Sequence, residues 1–186
     1  MTRGRSSQRL PGTCGGTRWG YNSPAMPSLE FEITVAAPLD VVWAFHDDVA
    51  NLPVLSAPES QVTLESADVP VRAGSRIVIS AKGPLGRVRW VARIVEHTPP
   101  RAVVFGEEAR FVDEQESGPF KTFRHEHDFE RVGEKATRVL DRLTYRVGWG
   151  PIGWIADALI VRRQIRSMFR HRHAVLRERF GVVPST

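Results

Sequence analysis

The residues best able to do chemistry fall in one run, Phe123-Arg124-His125-Glu126-His127-Asp128-Phe129-Glu130. In a strand, successive side chains point to opposite faces. One face therefore reads Phe, His, His, Phe and the other Arg, Glu, Asp, Glu. The wholly charged face has to meet water, which turns both imidazoles inward beside the phenylalanines. A turn centred on Gly133-Glu134 folds Ala136–Val147 back onto this strand and sets position 129 near 139, 127 near 141, 125 near 143 and 123 near 145. Val139, Asp141, Leu143 and Tyr145 then share the inward face, while Arg138, Arg142 and Arg146 stand outside among the acids of the neighbouring strand. Asp141 falls opposite or diagonal to His127 or His125, within cross-strand reach. A register slip of two residues keeps this arrangement and a slip of one destroys it.

An inward carboxylate without a partner costs several kcal/mol or stays protonated, so Asp141 needs a donor, and a facing histidine is the obvious one. Several uses fit such a pair. It can be a buried hydrogen bond that orders the two strands, a set of polar anchors in an apolar cavity, or a general acid–base couple. Metal binding by His125, His127 and Asp141 is the weakest of the readings, because no fourth ligand is evident. We expect no metal, and the residues require no cofactor.

The elements that must position these groups read as strands followed by a long helix. Leu29–Ala36 alternates as a half-buried strand. Pro38–Asp48 reads as a helix with Val41, Val42 and Phe45 on one side and Trp43 flanking, and Asn51–Ala57 as a second short helical turn. Strands are expected at Gln61–Ser66, Ser75–Lys82, Arg87–Glu96, Ala102–Glu107 and Phe111–Ser117, before the hairpin Phe120–Arg131 and Ala136–Val147. In Arg87–Glu96 the residues Val88, Trp90, Ala92 and Ile94 alternate with Arg87, Arg89, Val91 and Arg93, as in a meander with one wet face.

Pro151–Phe180 reads as one helix of roughly 45 Å at 1.5 Å per residue, with Pro151 at its start and Gly181 as its C-terminal cap. Ile155, Leu159, Phe169, Leu176 and Phe180 share a face with Ile165 beside them, and Val161, Met168 and Val175 widen it. Arg162, Arg166 and His173 lie in or beside that stripe, placed either to snorkel to the rim or to meet a ligand carboxylate or phosphate. Trp149-Gly150-Pro151-Ile152-Gly153-Trp154 reads as the joint between sheet and helix. A helix this long and one-sided implies a curved antiparallel sheet beneath it, with a cavity between the two.

The length of 186 residues suits one domain. Residues 1–27, rich in Gly, Ser, Arg and Pro, are expected to be a disordered basic tail, with Met26 a plausible alternative start and 28–183 the folded domain. The formal charge of +5 is mostly this tail, since Arg3, Arg5, Arg9 and Arg18 stand there with no acid. That leaves a near-neutral fold and argues against a nucleic-acid partner. The one cysteine, Cys14, permits no disulfide within the chain and fits a reducing, cytoplasmic compartment. No apolar run is long enough for stable membrane insertion. The oligomeric state is left open by the sequence.

Phe111-Val-Asp-Glu-Gln-Glu-Ser-Gly-Pro-Phe120, His125-Glu-His127-Asp-Phe129, Asp141, Tyr145 and Gly150-Pro-Ile-Gly153, taken in order with the terminal Arg-rich helix, resemble the SRPBCC superfamily. That group holds START-related lipid-binding domains and polyketide cyclase/dehydrase-like proteins. The resemblance covers about residues 28–180. It implies an α+β helix-grip fold, with a curved antiparallel sheet of about six to seven strands around the C-terminal helix and two short helices after strand one. It also implies that His125, His127, Asp141 and Tyr145 face an apolar pocket. The function expected is binding, transport or sequestration of a small hydrophobic molecule such as a lipid or a polyketide-like ring compound. Trp90, Phe105, Phe123, His125, His127, Asp141, Tyr145, Arg162 and Phe169 are the candidate contacts. The alternative is a cyclase or dehydratase using His127 or His125 as base, oriented by Asp141.

Overall fold

The computed structural model describes residues 28–83, 86–101, 106–148 and 160–183. Its elements run β1 (Ser28–Val35), α1 (Leu39–Asp47), a single turn at Val49–Asn51 leading into α2 (Leu52–Leu55), β2 (Thr63–Ala67), β3 (Arg76–Gly83), β4 (Gly86–Thr98), β5 (Glu108–Ser117), β6 (Thr122–Gly133), β7 (Ala136–Arg146) and α3 (Arg162–Phe180). The seven strands make one open, curved sheet in the order β1-β7-β6-β5-β4-β3-β2. Every adjacent pair is antiparallel. From β2 to β7 the chain is a plain meander. The α1–α2 segment carries it from one edge of the sheet to the other, and β7 returns to pair with β1.

The hairpin register is the one its alternation dictates, with His127 opposite Asp141, His125 opposite Leu143 and Phe123 opposite Tyr145. Along β6, Phe123, His125, His127 and Phe129 are all buried, and along β7 so are Val139, Asp141, Leu143 and Tyr145. Their outward neighbours pair with one another: Arg142 with Asp128, Arg124 with Glu114 and Glu126, and Arg138 with Glu130. Arg110 of β5 gathers Glu96, Glu126 and Asp128 on the same outer face.

The structure departs from the expected pattern at several places. In α1 the inward residues are Leu39, Val42, Trp43, Phe45 and His46. Val41, expected among them, is 47% exposed. The spacing 39, 42, 43, 46 is the i, i+3, i+4, i+7 stripe, and Val41 lies off it. In β4 the alternation is broken by register shifts at Val91/Ala92 and Ile94/Glu96. Val91, expected on the wet face, is buried, paired with the buried Val78 of β3. The strand also runs on to Thr98, two residues past its expected end at Glu96. Of the expected strand Ala102–Glu107, residues 102–105 lie outside the described set, and Gly106 and Glu107 belong to no strand.

The first part of the expected Pro151–Phe180 helix, the joint before it and the tail 1–27 are likewise outside the described residues. The described helix begins at Arg162, preceded by a wider turn at Ile160–Val161. It ends at Gly181, whose φ of 72° favours glycine and whose N–H donates to the Arg177 carbonyl.

Helix α3 lies on the inner face of the sheet through Ile165, Phe169 and Leu176. Its firmest hold is Phe169, 1% exposed and stacked on Phe31 of β1 with ring centroids 4.0 Å apart. Phe169→Ala should therefore cost about 3–5 kcal/mol of stability, read as a drop in the urea midpoint without a large change in slope.

Candidate functional site

The interior is built in three layers. At one end Ile33, Val35, Leu39, Val42, Trp43, Phe45, Ala109, Phe129, Val139 and Leu176 form an apolar cluster. At the other end Phe123, Leu143, Tyr145, Ile165 and Phe169 form a second, with Phe31, Trp90 and Phe120 packed against it. Between them each contributing element supplies polar groups: Asp113 from β5, His125 and His127 from β6, Asp141 from β7 and Arg172 from α3.

Asp141 is the centre, 1% exposed. His125 Nε2 donates to its Oδ1 at 2.9 Å. Arg172 Nη1 donates to the same oxygen at 3.3 Å, and His127 Nδ1 lies 2.8 Å from it. That last contact is close but out of line for a hydrogen bond, since His127 Nδ1 and Asp141 Oδ2 both lack hydrogen-bond partners among the described residues. On their other side both imidazoles face Asp113, whose Oδ2 is 3.4 Å from His127 Nε2 and 3.8 Å from His125 Nδ1. The two rings run side by side between the carboxylates, 3.7 Å apart. Phe111 stacks on His127 at 4.0 Å and Phe169 meets His125 edge-on at 5.6 Å.

The protonation states follow from this geometry. Burial pushes the Asp141 carboxyl up, but the hydrogen bond from His125, His127 and the Arg172 charge outweigh it and hold it well below the usual range. Asp113 is lowered too: burial opposes this, and contact with both imidazoles prevails. Burial and the neighbouring His127 push His125 down to about 4, despite its bond to Asp141. Burial alone would lower His127 as well, but the two carboxylates it bridges raise it above the ordinary value. The layer thus holds a neutral His125, a His127 that favours its proton, two carboxylates and one guanidinium. His46 on α1 is also buried and pushed down to about 4 by desolvation, with Nδ1 2.8 Å from the Val42 carbonyl.

Of the residues singled out from sequence, His125, His127 and Asp141 come together and Phe169 joins them. Trp90, Phe123 and Tyr145 lie in the neighbouring aromatic cluster, with Trp90 edge-on to Phe123 at 4.7 Å and Phe120 bridging to Tyr145 at 5.6 Å. Arg162 opens α3, about 15 Å along the helix from Arg172 at 1.5 Å per residue. Phe105 is outside the described residues. Arg166 is exposed, and His173 is half-buried. Asp113 and Arg172 were not singled out. Arg172 had a signal, because 165, 169, 172 and 176 follow the helix's apolar spacing and an arginine on that stripe must meet an anion. Asp113 had a weaker one: it pairs directly with His125, but it stands in an acid-rich run whose register on β6 the spacing alone does not fix. Two hollows formed by described residues lie away from this layer, one of about 420 Å³ beside Ala67–Ser75 and one of about 270 Å³ over Arg110, Asp128 and Arg142.

An open antiparallel sheet closed by a C-terminal helix, with ionisable groups set in an apolar interior, defines a helix-grip protein. The family model for polyketide cyclase/dehydrase and lipid transport proteins matches residues 35–172, and the chain belongs to that family. This agrees with the SRPBCC resemblance in its sequence. Among solved structures it is similar to TTHA0849 from Thermus thermophilus, at 24% identity and TM-score 0.57, covering 82% of this chain and 96% of that one. A START superfamily protein from Mycobacterium smegmatis matches at 13% identity and TM-score 0.59, over 82% and 96% of the two chains. These two likenesses concern the fold alone. The di-domain ARO/CYC BexL from the BE-7585A biosynthetic pathway matches at 26% identity and TM-score 0.57, over 81% of this chain and 46% of that one. No curated protein matches the sequence.

The buried histidines set the pH response of the fold. His46 and His125 titrate near 4 when folded and near the ordinary ~6.5 when unfolded. As pH falls through that window only the unfolded chain takes up these protons, so stability is lost, with a slope approaching roughly 2.7 kcal/mol per pH unit for the two together. The depressed Asp113 and Asp141 extend the loss to lower pH. His127 acts oppositely: its contribution is complete below the ordinary value and lost as pH rises through its raised one. Urea midpoints measured across this range should show the acid limb, and His46→Gln should halve its slope.

Proposed function

We propose that the chain binds a small hydrophobic molecule, a lipid or polyketide-like ring compound, between the sheet and α3, with the polar layer orienting it. The observation that carries this reading is the set of buried polar atoms with no hydrogen-bond partner among the described residues: Asp141 Oδ2, His127 Nδ1, Arg172 Nε, His46 Nε2 and His173 Nε2. A pair serving only to tie two strands together closes its own hydrogen bonds. Here several donors and acceptors remain beside an aromatic cluster, the combination a ligand with an apolar body and a few oxygens requires. Family membership supports the same reading. The reading also places the protein in the cytoplasm and assigns it no nucleic-acid partner. In support, the outer-face arginines Arg110, Arg124 and Arg142 are engaged by acids, and among the described residues no helix is long and apolar enough to cross a membrane.

Native mass spectrometry of the protein purified from its own host should show an adduct of one small apolar molecule. A bare protein mass, together with no enhancement of 1-anilinonaphthalene-8-sulfonate fluorescence, would overturn the proposal.

A second reading, a cyclase or dehydratase, is favoured by one specific observation. The two histidines have affinities for protons pushed apart, His125 downward and His127 upward. Such divergence is how a site assigns a base and an acid. His125, oriented by Asp141, would take a proton and His127 would give one. With the co-purified molecule or its open-chain precursor as substrate, Asp141→Asn should then lower turnover at least ~100-fold while changing ligand affinity far less. Equal turnover in the variant would remove the pair from any mechanism.

A further inference from the structure

We propose that Asp113, His125 and His127 bind one divalent transition-metal ion, with Asp141 as the outer partner of both imidazoles. One ligand atom from each of Asp113, His125 and His127 lies within 4.8 Å of the other two, and Asp113 Oδ2 is faced by His125 Nδ1 and His127 Nε2. Ligands ~2.1 Å from a tetrahedral ion stand about 3.4 Å apart. The Asp113–His127 separation is 3.4 Å, and the Asp113–His125 separation of 3.8 Å needs only a few tenths of an ångström of closure. Both separations exceed the ~2.9 Å of a well-formed hydrogen bond.

The far nitrogens supply the second argument. A histidine that binds a metal characteristically turns its other ring nitrogen to a carboxylate. Here His125 Nε2 does so with a 2.9 Å hydrogen bond, and His127 Nδ1 lies 2.8 Å from the same Asp141 oxygen, near enough to close one by a small rotation of the ring. This assigns Asp141 to the outer shell and Asp113 to the ligand set, where spacing alone points to Asp141.

The third argument is orientation and access. His125 Nε2 is taken by Asp141 at 2.9 Å, which turns Nδ1 toward Asp113. Asp113, at 17% side-chain exposure against 7% and 6% for the histidines, is the member an ion reaches first. Two imidazoles and a carboxylate suit zinc or ferrous iron. With Arg172 beside Asp141, the loaded layer carries one net positive charge, which a bound hydroxide or a ligand's anionic oxygen would neutralise.

The inference is independent of the ligand reading, since native mass spectrometry tests that separately. The full chain, stripped with chelator, is titrated with Zn²⁺ and with Co²⁺, reading stoichiometry by calorimetry and the cobalt ligand-field bands by visible absorption. One equivalent should bind, releasing protons at neutral pH. His127→Gln and Asp113→Asn should each weaken binding at least ~10-fold, and Asp141→Asn by roughly 10–100-fold. His171→Gln, whose imidazole meets the Val54 carbonyl of α2 instead, should leave it unchanged. Circular dichroism verifies that each variant folds, and Asp113→Asn decides the matter if a histidine variant does not. No saturable binding at one equivalent, or binding indifferent to Asp113→Asn, would overturn the site.

Discussion

Keeping a charged Asp141 inside the protein is the requirement to which the rest of the structure answers. A carboxylate at 1% exposure is tolerable only if cations and donors are brought to it from several directions. They come from different parts of the chain: two imidazoles from β6 and a guanidinium from α3. The register of β6 on β7, the rotation of α3 about its axis and the helix's position along the sheet are thereby fixed together. Shifting the hairpin by one residue would send Asp141 outward and bring Leu140 or Arg142 in. The two apolar clusters supply the burial that holds the elements together, and the polar layer between them specifies how they meet.

The two faces of the sheet handle charge differently. Outside, arginines and acids alternate across strands in pairs that water screens, each worth little. Inside, the charges are few, close and dry, so each shifts the proton affinity of its neighbours. This is why His125 and His127, two residues apart on one strand, behave oppositely: one meets mainly desolvation and a neighbouring cation, while the other bridges two anions. Similar side chains acquire different chemistry from their position between Asp113 and Asp141.

Much of this was legible from the residues. The alternation Phe-His-His-Phe against Arg-Glu-Asp-Glu forces the parity of β6, and the Gly133 turn then forces Asp141 inward, so the heart of the site needed no coordinates. Gly181 marked the end of the helix for the same kind of reason, a backbone angle few other residues adopt. What stayed hidden depended on relations between distant elements. Asp113 and Glu114 are equally acidic in the chain, and only the β5–β6 register decides which one turns inward. Arg172 was obscured among six other arginines of the helix, although it alone occupies the fully buried stripe. Val91 misled because its burial depends on the neighbouring strand, where it pairs with the buried Val78, a relation the alternation of β4 does not carry.

The return of β7 to the first strand carries a consequence for how the molecule comes into being. Among the described strands all other pairings join neighbours along the chain, whereas Ser28–Val35 pairs with β7, near the opposite end, and Val35 also bridges to Val182 beyond the last helix. During synthesis β1 therefore emerges long before anything exists for it to pair with, and loop-closure entropy is paid late. The meander can assemble progressively, hairpin upon hairpin, while the opening strand waits exposed. The native architecture therefore closes through long-range contacts, in which the opening strand meets β7 and the helix that follows it.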